Sequence, residues 1–416
     1  MDNNFNKRKR QKKIVVAMDS FKGSLTSLEA GNAVRDGILE QYPDVDVQIF
    51  PVADGGEGTV EALTFGKEHV QTRTISVTGP IGTEVSARYT IYGQAGEKTA
   101  VLEMAQAAGL PLVPEERRNP MHTTTYGVGE MIRDAITCGC RKFILGIGGS
   151  ATNDAGIGML QALGFHFMDE AGREVGYGAE GLAQVRSITT EDVMPELASC
   201  TFQIACDVTN PLVGAQGCSA VFAPQKGADA KMIQAMDAAM NRYADIVEDM
   251  YRKNPALMEN QQTGYDEAGK NVDKNDRQSH DKNRMTPGAG AAGGLGYACL
   301  MFLHAVLKPG IDIVLDEIQI AQAIKTADEV ITGEGKFDAQ TLMGKTPIGV
   351  ARIAKSYEAG CFGADVQTCI DSGVFAGCYA ASTANTEEEK RLAMEKRHAY
   401  MNLKACVKAH FSIENL

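Results

Sequence analysis

Short continuous apolar runs recur along the chain, and longer segments with helical spacing separate them. Apolar runs of four or five residues that end in glycine-rich or acidic loops are typical of buried strands. We therefore predict strands at residues 14–18, 47–50, 99–103, 143–147, 202–206 and 329–332. Strands that alternate with helices in this way indicate an α/β fold.

Helical spacing is clearest in three segments. Thr26 is followed three residues later by Glu29, which is a capping-box pattern, so a helix is predicted over residues 26–42. Further helices are predicted at residues 126–137 and 231–252. The second of these carries a stripe of methionines and aliphatic residues, which we interpret as core packing without chemistry.

The pattern changes near residue 70. Apolar residues alternate on either side of a Gly-Pro-Ile-Gly turn, which predicts a β-hairpin. We expect a mixed-sheet α/β domain inserted into a mostly parallel, doubly wound α/β domain. The predicted boundaries are 14–70 with 287–416 for the parallel domain, 71–286 for the inserted one, 1–13 for a disordered basic tail and 254–286 for a polar mobile insertion.

A glycine-rich loop follows the predicted strand at 143–147. Gly148, Gly149, Ser150 and Thr152 are small, and an apolar helix is predicted to begin near Ala155. Such a loop lets backbone N–H groups approach an anion, and a helix N-terminus favours negative charge. A tight turn without a ligand is the alternative.

Two further residues of this loop carry oxygen ligands. Asn153 and Asp154 could hold a metal or orient a hydroxyl. A second glycine-rich segment contains Gly290, Gly293 and Gly294. It is a candidate for contact with a nucleotide or a carboxylate, and close helix packing through small residues explains it equally well.

Carboxylates and lysines recur at the ends of predicted strands, where open α/β sheets bind their ligands. The first strand leads to Asp19, Ser20 and Lys22, and the second leads to Asp54. A later strand is followed by a loop that carries Glu334, Lys336 and Asp338. Metal-held phosphates, a cation and a base are what phosphoryl transfer requires. Any single Asp–Gly pair is more often a turn, so the recurrence carries the prediction.

The composition limits the classes of binding partner that we expect for this protein. The net charge is −12, so a nucleic-acid or anionic-membrane partner is not expected. An anionic substrate then needs a local positive cluster, for which the candidates are Lys22, Lys226, Lys336 and Lys345. Ten scattered cysteines without a C-x-x-C pair and the lack of a long apolar run indicate a cytoplasmic protein.

Eight motifs, in this order, resemble those of bacterial glycerate kinases from about residue 13 to 355. They are VVAMDSFKGSLTS, PVADGGEGTVEAL, NPMHTTTYGVGEMIRDA, GIGGSATNDAGIGMLQALG, CDVTNPLVG, APQKGA, PGAGAAGGLGYA and TGEGKFDAQTLMGKTPIGVARIAK. The resemblance implies two α/β domains that face a cleft. It also implies Mg²⁺- and ATP-dependent phosphorylation of D-glycerate to 2-phosphoglycerate, with 3-phosphoglycerate as the second choice.

With that reaction in mind, we predict a role for each candidate residue. The nucleotide phosphates are placed against Gly148, Gly149, Ser150 and Thr152, with Gly290, Gly293 and Gly294 as neighbours. Asp54, Asp154 and Asp207 are metal or base candidates, with Asp207 preferred as base and Asp154 as metal ligand. Lys22 is predicted to neutralise the transferring phosphoryl, and Asp19, Ser20, Asn153, Glu334 and Asp338 to position the substrate.

The C-terminal part departs from the resemblance, because a strand of about eight residues after residue 357 is missing from the pattern. If that strand is internal to the sheet, its loss puts activity in question. A nucleotide- or glycerate-binding relative without turnover therefore stays an alternative. A kinase of another small hydroxy or sugar acid is a further alternative, because no residue identifies glycerate by its chemistry alone. The oligomeric state, a homo-oligomer included, is open.

Overall fold

A computed structural model describes residues 11–56, 58–253, 283–335, 345–357, 360–363, 375, 377–378, 391–392 and 394–412. The chain forms two compact units. Unit 1 comprises Met1–Gly66 and Pro309–Leu416, and unit 2 comprises Lys67–Lys308.

Strands and helices alternate along most of the described chain. The strands are β1 (Lys13–Met18), β2 (Asp46–Ile49), β3 (Gln71–Thr78), β4 (Glu84–Tyr92), β5 (Lys98–Glu103), β6 (Cys140–Gly146), β7 (His166–Met168), β8 (Ser187–Thr189), β9 (Thr201–Ala205), β10 (Val306–Lys308), β11 (Glu329–Gly333), β12 (Gly360–Gly363) and β13 (Gly377–Cys378). The helices are α1 (Ser27–Leu39), α2 (Thr59–Thr64), α3 (Ala105–Ala108), α4 (Tyr126–Thr137), α5 (Ile157–Ala162), α6 (Gly178–Gln184), α7 (Cys218–Phe222), α8 (Ala230–Lys253), α9 (Ala291–Phe302), α10 (Gly310–Glu317), α11 (Ile320–Ile324), α12 (Thr346–Ser356) and α13 (Lys396–Ser412).

Unit 1 is built on a parallel sheet with the strand order β13-β12-β11-β1-β2. Strand β1 lies inside the sheet between β11 and β2, so it is apolar, and Ile14 and Val16 are fully buried. Its register pairs Met18 with Gly333 of β11, so the loops that follow these two strands start side by side. The carboxyl ends of the parallel strands share one edge of the sheet.

Helix α1 begins with the predicted capping box, which is confirmed. The Thr26 hydroxyl accepts a hydrogen bond from the Glu29 amide, and the Glu29 carboxylate accepts one from the Thr26 amide. The helix packs against α13, and Gly37 allows this close approach because a Cβ there would lie 2.7 Å from the Lys404 carbonyl oxygen. The start of α1 is therefore fixed by local sequence, and its orientation by burial.

Unit 2 contains a six-stranded mixed sheet with the order β10-β9-β6-β5-β4-β3. The predicted hairpin is confirmed, since β3 and β4 pair antiparallel with Val77 opposite Val85. Strands β5, β6, β9 and β10 are parallel, so their carboxyl ends also share one edge. The predicted core role of the α8 stripe is confirmed by the burial of Met236 and Met240.

The second glycine-rich segment belongs to unit 2, whereas the prediction assigned everything after residue 286 to the parallel domain. Helix α9 is buried along nearly its whole length in the unit 2 core, and β10 extends the unit 2 sheet by pairing with β9. The boundary therefore falls between Lys308 and Pro309 rather than near residue 287. Burial, which sequence spacing does not report, decides this boundary.

Two expectations about the chain ends also change. A short strand, β12, does follow α12 and pairs with β11 and β13, so the strand that was expected to be missing is shortened to four residues. Lys13 already belongs to β1 and was not part of a tail. Residues 1–10 and 254–282, which hold most of the predicted tail and insertion, lie outside the described residues.

Candidate active site

Asp19 lies at the carboxyl end of β1, and hydrogen bonds hold both oxygens of its side chain. One oxygen of this buried side chain accepts a hydrogen bond from the Thr346 hydroxyl at 2.7 Å, and the other accepts one from the Ser20 amide at 2.6 Å. Its own amide donates to the Gly333 carbonyl at 2.8 Å, which ties the loop to β11. Asp19 is therefore held in one orientation.

Charges from two neighbouring residues act on this carboxyl group. The pKa of Asp19 is raised to about 6, chiefly by burial and to a lesser extent by the negative charge of Asp54. The Thr346 and Ser20 hydrogen bonds and the positive charge of Lys22 act in the opposite direction. Three predicted residues, Asp19, Asp54 and Lys22, are thus brought into one electrostatic environment. Such a site is suited to a cation or to a substrate hydroxyl.

The loop that carries Asp54 is fixed through its backbone. A Cβ at Gly310 would lie 2.4 Å from the Asp54 carbonyl oxygen, so the start of α10 packs directly on this loop. Among the described residues, the half-buried Asp54 carboxylate accepts one hydrogen bond, from the Gly56 amide at 3.3 Å. Its oxygens therefore keep most of their capacity for a ligand.

Lys22 and Glu334 occupy the adjoining loops. Lys22 is exposed, and Gly335 lets the two loops approach, since a Cβ there would lie 3.0 Å from the Cα of Phe21. Glu334 is buried directly after β11. Asp338 and Lys336 lie outside the described residues.

Two buried hydroxyl groups near Asp19 lack a partner within the described part of the chain, namely those of Ser20 and Thr332. An unpaired buried hydroxyl is costly unless something else satisfies it. Mg²⁺ is usually held by one or two carboxylates together with substrate phosphates, so a complete protein cage is not needed. No such cage is present in the described ranges, because no three His, Cys, Asp or Glu residues there form a metal-binding group. The donors around Asp19 fit that mode of binding.

In unit 2 the glycine-rich loop follows β6. Gly148 and Gly149 are exposed, and a Cβ at Gly148 would meet nothing within 4 Å. Gly149 has φ +72°, a conformation that L side chains rarely adopt. In the described chain, the amides of Gly148, Gly149 and Ser150 donate to no backbone carbonyl. The loop thus presents consecutive N–H donors to an open side.

Helix α5 does not contribute to this donor set. It begins at Ile157 rather than near Ala155, spans six residues, and has Gly156 as its N-cap. The helix predicted near Ala155 is therefore present, but its six residues are too few for its N-terminus to form an anion site by itself. Any anion selectivity of the loop comes from its own backbone and side chains.

Lys226 lies beneath the loop. Its ammonium group donates to the Ser150 hydroxyl at 2.8 Å and to the Thr152 carbonyl at 2.6 Å, and only 2% of the residue is exposed. Burial lowers the pKa of Lys226 to about 8, against the opposing effects of Cys218 and Asp154. This lysine had been named only as a member of a general positive cluster, since nothing in the sequence marks it as buried.

Asp154 is fully buried and does not face a ligand. One oxygen accepts from the amide and the hydroxyl of Thr125, both at 2.8 Å, and the other accepts from the Gly156 amide at 3.1 Å. The Gly158 backbone also donates to this carboxylate. Burial raises the pKa of Asp154. These bonds occupy both oxygens, which argues against the predicted metal role and makes Asp154 the link between the loop and α4.

The remaining predicted residues of the loop also point inward. Thr152 and Asn153 are fully buried, and the Asn153 amide donates to the Ser219 hydroxyl at 2.9 Å. Contact of either side chain with a substrate would require the loop to open. Packing of the unit is the better explanation for both.

Close packing also accounts for the second glycine-rich segment. A Cβ at Gly293 would lie 2.1 Å from the Thr152 carbonyl oxygen, and one at Gly290 would lie 2.1 Å from the Pro211 carbonyl oxygen. Gly294 has φ +90° and would bring a Cβ within 2.8 Å of the Ala155 Cα. The packing alternative is therefore favoured for all three glycines. Gly293 and Gly294 pack against the glycine-rich loop that follows β6, and Gly290 packs against Pro211.

Asp207 is exposed two residues after β9. Strand β9 pairs in parallel with β6, and Gly146 lies opposite Ala205. The loop with Asp207 therefore begins beside the loop with Gly148, at the same edge of the unit 2 sheet.

Thr346 and Thr125 were not predicted, and a threonine that binds a distant carboxylate carries no sequence signal.

Comparisons with known proteins show which family the chain belongs to. A family model described as "Glycerate kinase family" matches residues 14–410. The chain belongs to the glycerate kinase family. It is 44% identical over 370 residues to glycerate kinase of Haemophilus influenzae, covering 87% of this chain and 89% of that protein. To glycerate 2-kinase of Escherichia coli it is 43% identical over 362 residues, covering 87% of each.

The fold is shared as well. A crystal structure assigned as glycerate kinase 2 from Salmonella typhimurium LT2 matches with a TM-score of 0.78 at 38% identity, over 97% of this chain and 100% of that chain. The α/β fold class and the enzyme class predicted from sequence are thereby confirmed: members of the glycerate kinase family are phosphotransferases. Within the described residues, no helix has the length and hydrophobicity needed to span a membrane.

Proposed function

We propose that this glycerate kinase transfers the γ-phosphoryl group of ATP to the 2-hydroxyl of D-glycerate and gives 2-phosphoglycerate. The observation that carries this proposal is the electrostatic grouping of Asp19, Asp54 and Lys22 at one edge of the unit 1 sheet. The 43% identity to glycerate 2-kinase of Escherichia coli supports the choice of the 2-hydroxyl.

Asp19 and Asp54 are the residues we assign to Mg²⁺, in place of Asp154. Mg²⁺ bound there would neutralise phosphate charge and orient the phosphoryl group. Thr346 holds one Asp19 oxygen, so the carboxylate needs no reorganisation when a cation arrives. Ser20 and Glu334 are assigned to positioning of the acceptor.

The nucleotide phosphates are assigned to the loop of Gly148, Gly149 and Ser150. Within the described chain no backbone carbonyl accepts from these three consecutive N–H groups, and Gly148 and Gly149 are exposed, so they can bind phosphate oxygens. Thr152 and Asn153 shape this loop from the interior rather than contact the phosphate.

Lys22 is assigned to the charge on the transferring phosphoryl, and Asp207 to the proton of the glycerate hydroxyl. An exposed lysine next to carboxylates can place a compact ammonium on a phosphate oxygen. An aspartate after a parallel strand lies at the edge where open α/β sheets bind ligands. ATP as phosphoryl donor and a cytoplasmic location complete the proposal.

Phosphorus NMR of the product decides the acceptor carbon. Purified protein is incubated with ATP, Mg²⁺ and D-glycerate, and the proton coupling of the product phosphorus is recorded. Coupling to a single proton is expected, because C2 carries one hydrogen, whereas coupling to two protons would identify 3-phosphoglycerate and refute the proposed position. L-glycerate and glycolate, tested in parallel, show whether another hydroxy acid is preferred.

A further inference from the structure

The contact between Lys226 and Ser150 determines which hydrogen bond the Ser150 hydroxyl can still make. A serine hydroxyl has one proton to donate and two lone pairs that accept. The Lys226 ammonium can only donate, so it occupies a lone pair of Ser150 and leaves the hydroxyl proton for another acceptor. No acceptor for that proton is found among the residues that the structure describes.

We propose that Lys226 is a positioning residue that turns the Ser150 hydroxyl into a donor for a nucleotide phosphate. The inference rests on the assignment of this loop to phosphate in the proposed function. Lys226 itself is too deeply buried to contact the ligand, and its effect is transmitted through Ser150. A second bond from the ammonium, to the Thr152 carbonyl, fixes the loop to which Ser150 belongs.

The short turn at Pro224–Lys226 holds the lysine in place. Gly227, which follows the turn, has φ +96° and packs so closely that a Cβ would lie 2.3 Å from the Arg118 carbonyl oxygen. Lys226 therefore has little freedom to withdraw its ammonium from the loop. A buried cation at a fixed position polarises the hydroxyl it contacts, because the surrounding dielectric is low.

Protonation controls the direction of the Ser150 hydrogen bond. The titratable groups that face Lys226 are Asp154, in the loop after β6, and Cys218, in α7. Because burial lowers the pKa of Lys226 to about 8, the amine loses its proton at mildly alkaline pH. A neutral amine has a lone pair and can accept, so the Ser150 proton then turns inward and is lost to the phosphate.

A purely structural role makes a different prediction. If Lys226 only holds the turn against the loop, its removal lowers the stability of the protein and weakens the binding of all ligands together. If it acts through Ser150, its removal weakens phosphate binding alone, and it does so only while Ser150 is present. A double-mutant cycle separates these two roles.

The experiment measures the Kd of a non-hydrolysable ATP analogue by calorimetry, with adenosine as a ligand that lacks phosphates. Lys226→Met, Ser150→Ala and the double variant are compared at pH 7. Each single variant is expected to raise the Kd about tenfold, as for a lost hydrogen bond to a charged group, and the double variant no further. Adenosine binding should be unchanged, and so should all binding in the control Lys98→Met, whose ammonium donates to the distant Cys138 carbonyl.

The pH dependence supplies a second arm that needs no lysine variant. Between pH 7 and pH 9 the wild-type Kd should rise up to about tenfold, while that of Ser150→Ala stays flat, because phosphate esters are already ionised above about pH 6. This arm decides the matter alone if Lys226→Met fails to fold.

Additive effects in the cycle, or a wild-type Kd independent of pH, would overturn the role of Lys226 while the phosphate assignment stands. An unchanged Kd in Ser150→Ala would remove the phosphate assignment itself, and the inference with it.

Discussion

Replacing Asp154 with alanine tests whether this carboxylate is structural or binds metal. The substitution removes the acceptor for the Thr125 amide and hydroxyl and for the Gly156 amide, all of them buried. Each buried donor left without a partner costs about 1–3 kcal/mol. The donors are neighbours and relax together, so we expect a total of about 4 kcal/mol.

In a domain of this size, each kcal/mol corresponds to about 2–4 °C in melting temperature. Asp154→Ala should therefore melt about 8–16 °C lower than the wild type by differential scanning calorimetry. The Mg²⁺ concentration needed for half-maximal activity, assayed well below that transition, should be unchanged. Loss of a structural acceptor has this signature because the ligand-binding side of the loop is not touched.

Asp54→Asn serves as the matched control and should behave in the opposite way. The Asp54 side chain accepts one long hydrogen bond, and the contact with α10 goes through its backbone carbonyl. A change in melting temperature of at most about 2 °C is expected, together with at least about a tenfold rise in the Mg²⁺ requirement. If Asp154→Ala instead keeps its melting temperature and raises the Mg²⁺ requirement, the structural interpretation of Asp154 is refuted.

Three further predictions concern the proposed site. Because the Thr346 hydrogen bond lowers the pKa of Asp19, which burial has raised to about 6, Thr346→Val should raise that pKa further. The ionised form is lost as pH falls through the pKa, so the acid limb of the kcat/KM profile should move to higher pH; an unmoved limb would exclude Asp19 as the titrating group. Lys22→Met should lower kcat far more than it raises the KM for glycerate, with poor rescue by arginine, as steady-state kinetics will show; near-normal kcat would move the role to Lys336 or Lys345. Asp207→Asn should keep the fold and nucleotide affinity but lower kcat by roughly 10²-fold or more, and a loss within about threefold would remove Asp207 from the mechanism.

Local patterns predicted the elements that local physics determines. The capping box of α1 depends on Thr26 and Glu29, which are adjacent on the helix, and the β3–β4 hairpin depends on alternation about a short turn. Helix α5 starts two residues later than the expected position near Ala155, because a glycine-rich loop carries no cap signal and Gly156 takes a left-handed N-cap conformation. Short-range signals thus gave the framework, while the boundary of unit 2 required knowledge of burial.

The candidate site shows the same limit more sharply. Asp54 and Asp154 both follow parallel strands and both lie within two residues of a glycine, so residue type and spacing predict a metal role for either of them equally well. What separates them is Thr125, 29 residues before Asp154, whose amide and hydroxyl consume one of its oxygens. A partner at that separation is specified by the packing of α4 against α5, which spacing alone does not contain.

Burial, which spacing does not report, also distinguishes Lys22 from Lys226. Lys22 and Lys226 are chemically identical, and both stand in short loops rich in small residues. The first stays exposed beside carboxylates, while the second is sealed 76 residues away in sequence from the Ser150 hydroxyl that it contacts. A buried ammonium cannot reach a phosphate, but it can determine which way a hydroxyl points. Charge in this enzyme is therefore expected to act in two ways, directly at Lys22 and through an intermediary at Lys226, and the contribution of Lys226 should weaken as the pH rises through about 8.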